Sequence, residues 1–134
     1  MSDFNEKIMT EFRANGGKVA QFGDAPMIIL GTIGAKSGDL KEIPLVYLPD
    51  GERMIVFASK AGATTNPDWA YNLRANPSIE VEVGTAKFAA TVAEVTGTER
   101  DDLYAKQAGL MPQFAEYEEK AGDRVIPVFA VNRV

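Results

Sequence analysis

Two short loops hold residues whose types and spacing suit the binding of a charged ligand. The first runs Gly34-Ala35-Lys36-Ser37-Gly38, with Lys41 three residues later. Glycine lets successive backbone N–H groups turn to one side, and the lysine and serine side chains add donors, so this loop suits a phosphate. It is not a Walker A loop, because Ala35 stands where that motif needs glycine before the lysine. The alternative is a hairpin loop punctuated by glycines, with solvated lysines.

The second loop, Ala58-Ser59-Lys60-Ala61-Gly62-Ala63, joins an apolar strand to the start of a helix. Small residues let the backbone come close to a flat ligand, and Lys60 lies at the point of approach. Trp69, one turn into the following helix, either anchors the core or walls the same pocket, and it could do both. These features favour a cofactor loop over a plain connector.

A third set of residues lies near the C-terminus and is aromatic or apolar: Tyr104, Met111, Phe114 and Tyr117. Apolar residues at this spacing belong to the core or form the wall of a substrate site. In a substrate site, a tyrosine hydroxyl would serve as hydrogen-bond donor.

The composition removes most other side-chain chemistry. The 134 residues include no His and no Cys, which excludes a Ser-His-Asp triad, a thiolate nucleophile and disulfides. A zinc site would need carboxylates alone, so no metal is expected. The net charge of −5 and the lack of a basic run disfavour nucleic acid as a partner. If the chain is an enzyme, a bound cofactor performs the difficult step.

The sequence predicts that the elements that position these residues form one domain, 1–134, with few helices, most of them late in the chain. Strands are predicted over 26–33, 42–48, 53–59, 79–83, 86–95 and 126–132, and helices over 3–15, from 67 to before 76, over 96–109 and from 112. Turn signals at Pro49-Asp50-Gly51 and Gly84-Thr85 join neighbouring strands. The fold class expected is mainly β with attached helices (α+β), an antiparallel sheet or barrel.

Helix starts carry sequence signals of their own. Asn66 suits a cap and Pro67 the first helical position, while Thr96 with Glu99 three residues on forms a capping box.

The N-terminal segment, 1–17, reads as a helix that docks on the core, covers a ligand as a lid or touches a membrane surface weakly. No secretory signal opens the chain, and its longest apolar run, 27–30, is too short for a bilayer. We therefore expect a cytoplasmic protein with at most a membrane-surface association.

The order and spacing of several short motifs resemble the deazaflavin-dependent nitroreductase family of coenzyme F420-dependent oxidoreductases, from actinobacteria. The matching segments are 12–17, 34–44, 58–63, 66–69, 72–73, 76–77 and 123–129. The resemblance implies a split β-barrel of the flavin mononucleotide-binding, pyridoxamine oxidase-like type. It also implies coenzyme F420 (8-hydroxy-5-deazaflavin) as cofactor, with flavin mononucleotide (FMN) as the alternative.

The resemblance assigns roles to individual residues. Lys36, Ser37, Gly38 and Lys41, with Pro44 at the end of that segment, would hold the phosphate side of the cofactor. Ser59 to Ala63, after Ala58, would line the deazaflavin ring, with Trp69 and Asn72 nearby. Lys41 stands where the family often has Arg, which keeps the charge but loses the bidentate fork.

On the substrate side, the best-known nitroreductase of that family has three tyrosines where this chain has Met111, Phe114 and Tyr117. Hydride would pass from the reduced coenzyme to an electron-poor small molecule such as a quinone, enone or nitroaromatic. Tyr117 is the expected proton donor, with Ser59 or water as substitutes, and Tyr104 completes the substrate wall. A non-catalytic cofactor carrier is a further alternative, and the chain is expected to be a monomer or a homodimer.

Overall fold

One curled antiparallel sheet organises the computed structural model, which describes residues 3–134. Its strands are β1 Met27–Ile33, β2 Leu40–Val46, β3 Leu48–Asp50, β4 Arg53–Phe57, β5 Ser78–Val83, β6 Ala86–Val95 and β7 Val128–Arg133. The helices are α1 Asp3–Ala14, α2 Asp68–Ala75, α3 Gly97–Leu110 and α4 Gln113–Ala121, with short 3-10 turns at Ala20–Phe22 and Lys60–Gly62. The expected class, a mainly antiparallel β fold of the split-barrel type with attached helices, is confirmed.

The sheet closes on itself because its two edges are neighbours in sequence. The strand order is β2-β1-β5-β6-β7-β4-β3, yet only Tyr47 separates β2 from β3. The prediction of one strand over 42–48 is therefore wrong. The chain leaves β1 at Val46 and joins β4 at Leu48, while the Tyr47 N–H donates to the Pro26 carbonyl (3.0 Å) outside both ladders.

The remaining strands follow their sequence patterns closely. In β5, Ile79 and Val81 are buried while Glu80 between them is exposed, as alternation predicts. The β5–β6 turn contains Gly84 at φ +60°, a left-handed conformation that suits glycine. The last strand begins at Val128 and not at 126, since Pro127 has no N–H to give to a ladder.

Neither predicted side-chain cap forms, although Thr96 is the N-cap residue of α3 as predicted. The side chain of Asn66 does not cap α2, because its Oδ1 accepts a hydrogen bond from Arg124 Nη1 at 2.7 Å. Pro67 is the cap residue itself, with extended backbone. The Thr96–Glu99 box is not formed either, since Glu99 pairs with Arg53 at 3.1 Å. In both cases a partner distant in sequence takes the side chain.

Helix α1 docks on the core, as one of the three readings of its periodicity predicts. Ile8, Met9 and Phe12 are buried in a cluster with Met27 and Ile29 of β1. No helix within residues 3–134 has the length and apolarity needed to cross a membrane.

Candidate active site

An open groove with a cavity volume of about 190 Å³ lies between α1, β2, the loop after β4 and the start of α4. α1 and the segment after it contribute Phe4, Asn5, Ile8 and Phe22, and the sheet contributes Met27, Pro44, Leu45 and Val46. Ser59 and Ala61 come from the loop, and Met111, Gln113, Phe114 and Tyr117 from the α3–α4 junction and α4. The lining is mainly apolar, as expected for a small-molecule site.

Six residues singled out from sequence meet in this groove although the chain separates them widely. They are Pro44, Ser59, Ala61, Met111, Phe114 and Tyr117. The structure thus brings the second loop and the C-terminal aromatic set together. Residues of α1 also line the groove, a position compatible with the lid reading of the N-terminal helix, whereas Gln113 was not singled out from sequence.

Two predicted site aromatics lie in the core and do not line the groove. Trp69 is 8% exposed and packs against Phe129, with ring centroids 6.0 Å apart. Tyr104 is 1% exposed, and its hydroxyl donates to the Phe114 carbonyl at 2.6 Å. Burial raises the pKa of Tyr104 to about 12, so this hydroxyl stays protonated at neutral pH. Tyr104 therefore supports Phe114 from behind.

The loop after β4 has an unusual backbone. Ser59 is right-handed (φ −71°, ψ −37°), and Lys60, Ala61 and Gly62 follow at φ +48°, +53° and +82°. Positive φ is costly for the two residues with a Cβ. A right-handed residue followed by a left-handed one gathers successive N–H groups into a concave nest that suits an anion. The N–H groups of Ser59, Lys60 and Ala61 have no protein acceptor within the described chain.

α4 packs so closely against Gly62 that this position leaves no room for a side chain. A Cβ there would lie 2.7 Å from Lys120 Cβ and 3.0 Å from both Cα and O of Tyr117. The close approach expected between this loop and a flat ligand is, at this residue, an approach to α4. Because the contact is so tight, it fixes the loop relative to Tyr117.

Arg124 holds the same loop from the other side. Its guanidinium donates to the carbonyls of Ala58 (3.0 Å), Ser59 (2.7 Å) and Ala63 (2.9 Å), besides Asn66. The predicted strand 53–59 ends at Phe57 accordingly, since the next carbonyls turn to this side chain. Nothing local in the sequence indicated this role, because Arg124 is a single arginine that precedes a buried strand.

The first loop is a tight turn between β1 and β2. Gly34 N–H donates to the Asp39 carbonyl (2.8 Å), and Ser37 Oγ accepts from Asp39 N–H (3.2 Å). Lys36 and Lys41 are exposed, and neither forms an ion pair with the described residues. Lys60 in the second loop donates to Thr65 Oγ1 (3.2 Å).

Asn72 ties the first loop to α2, which directly follows the second loop. This side chain is 8% exposed, and its Oδ1 accepts from Ala35 N–H at 3.0 Å. Its Nδ2 donates to Thr32 Oγ1 at 3.3 Å. Asn72 therefore sets the spacing of the two loops through hydrogen bonds. Across residues 3–134, no group of three or more acidic side chains is arranged to hold a metal ion.

Comparison with known proteins gives one consistent result. A sequence profile of the F420H(2)-dependent quinone reductase family matches residues 4–133. An F420H(2)-dependent quinone reductase of Mycobacterium tuberculosis is 30% identical over 129 residues, covering 91% of this chain and 85% of that protein.

Two solved structures share the fold at comparable identity. An F420-H2 dependent reductase (FDR-A) superimposes with a TM-score of 0.72 at 35% identity, over 80% of this chain and 94% of that one. A structure described as a domain-swapped dimer gives a TM-score of 0.74 at 32% identity, over 95% of this chain and 96% of that one.

Proposed function

The chain belongs to the F420H(2)-dependent quinone reductase family, and from that premise we propose where each part of the reaction takes place. It is an oxidoreductase that transfers hydride from reduced coenzyme F420 to an electron-poor small molecule. The observation that carries the proposal is the shared groove, in which Pro44, Ser59, Ala61 and Tyr117 meet.

The residues fit an anionic, flat coenzyme. Lys36 and Lys41 are exposed cations without ion-pair partners in the described chain, and Ser37 and Gly38 lie between them. In a protein of net charge −5, such cations would supply the local attraction for phosphate and carboxylate groups. We assign the phosphate side of the coenzyme to this loop.

The ring side is assigned to the second loop. Ala58 to Ala63, with Pro44 across the groove, would border the ring, and the free N–H group of Ala61 is a donor for its oxygen atoms. Trp69 and Asn72 would support this loop without contacting the ring: Trp69 anchors the core, and Asn72 links the two loops. The coenzyme, when bound, supplies a hydride.

The acceptor site is assigned to the apolar end of the groove. Met111, Phe114 and Phe4 offer apolar surface for a quinone or a similar ring, and they limit access of water. Tyr117 and Ser59 bring hydroxyl groups to the same lining. We assign proton donation to Tyr117, with Ser59 as the substitute, while Tyr104 holds Phe114 in place.

An assay of coenzyme oxidation tests this function. Reduced coenzyme F420 is mixed with the protein and a benzoquinone, and the return of the oxidised coenzyme's absorbance is followed, with reduced FMN in parallel. We expect the protein to accelerate the oxidation of the reduced deazaflavin and to have little effect on the oxidation of reduced FMN. Binding without turnover over quinones, enones and nitroaromatics would instead indicate a carrier.

We also infer a homodimer in solution. The relative described as a domain-swapped dimer matches nearly the whole chain. In this chain Leu40 (61% exposed), Val134 (82% exposed) and Ile33 line an apolar surface that extends across β1, β5 and β6. Light scattering at several concentrations checks this, and Leu40→Lys should shift the mass toward the monomer.

The weak membrane-surface contact of residues 3–15 stays a prediction. The apolar residues Ile8, Met9 and Phe12 of α1 are buried, and Phe4 is left 52% exposed. Flotation of the protein with vesicles containing anionic lipid would test the contact.

A further inference from the structure

The Arg124 guanidinium lies at the centre of the loop that borders the groove. It is half-buried and reaches four oxygen atoms, three of them backbone carbonyls within residues 58–63 and the fourth Asn66 Oδ1. These bonds hold a segment with two non-glycine residues at positive φ, Lys60 and Ala61. A strained backbone persists only where the surrounding contacts hold it in place, and the hydrogen bonds of Arg124 provide much of this restraint.

The charge of Arg124 is not neutralised by a carboxylate. Arg100, the other arginine removed from solvent, pairs with Asp101 at 3.0 Å and Glu118 at 3.3 Å. Arg124 forms no ion pair with any described Asp or Glu, and all its recorded acceptors are neutral. Burial lowers the pKa of Arg124, but a guanidinium titrates too far above neutral pH to lose its proton. A full positive charge therefore lies directly behind the loop.

The orientation of two peptides links this charge to N–H groups on the far side of the loop from Arg124. In a trans peptide the N–H points opposite to the C=O of the same unit, and the described chain contains no cis bond. Since the carbonyls of Ala58 and Ser59 point to Arg124, the N–H groups of Ser59 and Lys60 point away from it. Ser59 and Ala61 line the groove.

We propose that Arg124 is an electrostatic positioning residue: it orients the N–H groups of Ser59 and Lys60 and polarises them so that they stabilise negative charge formed in the groove. This inference rests on the proposed function. Reduction of a quinone here would break a C–H bond of the reduced coenzyme and form a bond from the transferred hydride to a quinone carbon, so that the electron pair of a C=O π bond would move to oxygen. The proton left on the oxidised coenzyme would pass to solvent. The resulting oxyanion is the charge stabilised, until a proton from Tyr117 or water neutralises it.

Asn66 offers a substitution that changes the charge while keeping the geometry. Asn66→Asp keeps an acceptor oxygen 2.7 Å from Arg124 Nη1 but places an anion against the guanidinium. Asn66→Ala removes that hydrogen bond and leaves the charge uncompensated. If Arg124 has only a structural role, Asn66→Ala should lose more activity than Asn66→Asp. If its role is electrostatic, Asn66→Asp should lose more activity than Asn66→Ala.

The first readout needs no coenzyme. Base-catalysed exchange of an amide proton is faster near a cation, because the charge stabilises the deprotonated peptide. We expect the exchange of the Ser59 and Lys60 amides, measured by NMR, to be at least about threefold slower in Asn66→Asp than in the wild type. Asn66→Ala should stay close to the wild type. Equal exchange in the wild type and Asn66→Asp overturns the inference, whether or not the protein turns over the coenzyme.

The second readout is turnover. Asn66→Asp should lower kcat about tenfold while its melting temperature is kept or raised, and Asn66→Ala should stay within about twofold in kcat. Asn132→Asp, which adds the same charge on β7, is the control and should leave kcat unchanged. A kcat of Asn66→Asp equal to that of the wild type, or an equal fall in both Asn66 variants, overturns the inference. Failure of the wild type to oxidise the coenzyme would instead refute the proposed function.

Discussion

At the residue scale, Tyr117 and Gly62 belong to one contact. Gly62 has no side chain, so α4 comes within 3.0 Å of where its Cβ would be, at the Cα and O of Tyr117. The tyrosine ring then packs edge-on against Phe114, with centroids 5.2 Å apart, and lines the groove with Ser59. The position of the proposed proton donor therefore depends on a residue that never touches substrate.

Tyr117→Phe removes the proposed donor and keeps the ring. We expect turnover with a quinone to fall by about 10- to 100-fold, with coenzyme affinity nearly unchanged, because the hydroxyl acts on the acceptor only. The matched control is Tyr71→Phe, at a tyrosine that is 49% exposed on α2 and contacts Arg74. Full activity of Tyr117→Phe at every pH would show that another group gives the proton.

Gly62→Ala tests the contact between the loop and α4. The substitution meets both a positive φ and a clash, so we expect a loss of about 2–4 kcal/mol in the free energy of unfolding. Gly23→Ala is the control for backbone strain alone, since Gly23 has φ +59°, ψ −129° and no atom within 4 Å of its Cβ position, and it should lose less than Gly62→Ala. Denaturant unfolding measures both, and equal losses would contradict a tight loop–helix contact.

At the element scale, α1 is both a core helix and a wall of the groove. Its buried face joins the sheet, and Arg13 fastens its C-terminal end to Glu82 (2.6 Å) and Glu42 (2.7 Å) on β5 and β2. The hydrogen bond from Arg13 holds the pKa of Glu82 below its ordinary value of 4.5. Phe4 and Ile8 near the other end reach the groove.

Arg13→Gln should release α1 in a pH-dependent way. A carboxyl whose pKa is lowered by folding stabilises the protein above its unfolded pKa, and this contribution is lost as pH falls through the folded pKa. The free energy of unfolding of the wild type should thus exceed that of Arg13→Gln by roughly 1 kcal/mol at pH 7, since the pair is partly exposed, and this difference should shrink as pH falls below 4.5. Thermal melts from pH 7 to pH 3 check this, and a constant gap would argue against the ion pairs as its cause.

The elements that sequence predicts well are those governed by local patterns. Alternation gives β5 and β6 almost to the residue, and the 3.6-residue period of Phe4, Ile8 and Phe12 gives α1. The misses come from long-range partners: Asn66 pairs with Arg124 and Glu99 with Arg53, so neither caps its helix. The break at Tyr47 is likewise a consequence of barrel closure, which no local pattern contains.

At the scale of the whole molecule, the chain carries a net charge of −5, and the cations in its ion pairs within the described residues are all arginines. Lys36 and Lys41 stay unpaired in the described chain, whereas Arg13, Arg53, Arg74 and Arg100 are bound to carboxylates. The fold joins the first loop to α2, the helix after the second loop, through Asn72, and the second loop to α4 through Gly62. Sequence pointed to both loops and to α1 as a possible lid, but the connection between the two loops follows only from the three-dimensional fold.

The most direct test is a titration of the protein with coenzyme F420, followed by the fluorescence of the coenzyme at low and high salt. We predict saturable binding by the wild type that weakens as salt rises, and about tenfold weaker binding at low salt for both Lys36→Ala and Lys41→Ala. Lys106→Ala on α3 is the matched control and should bind like the wild type. Absence of binding at micromolar protein would contradict the assigned cofactor, and unchanged affinity in both lysine variants would contradict the phosphate loop.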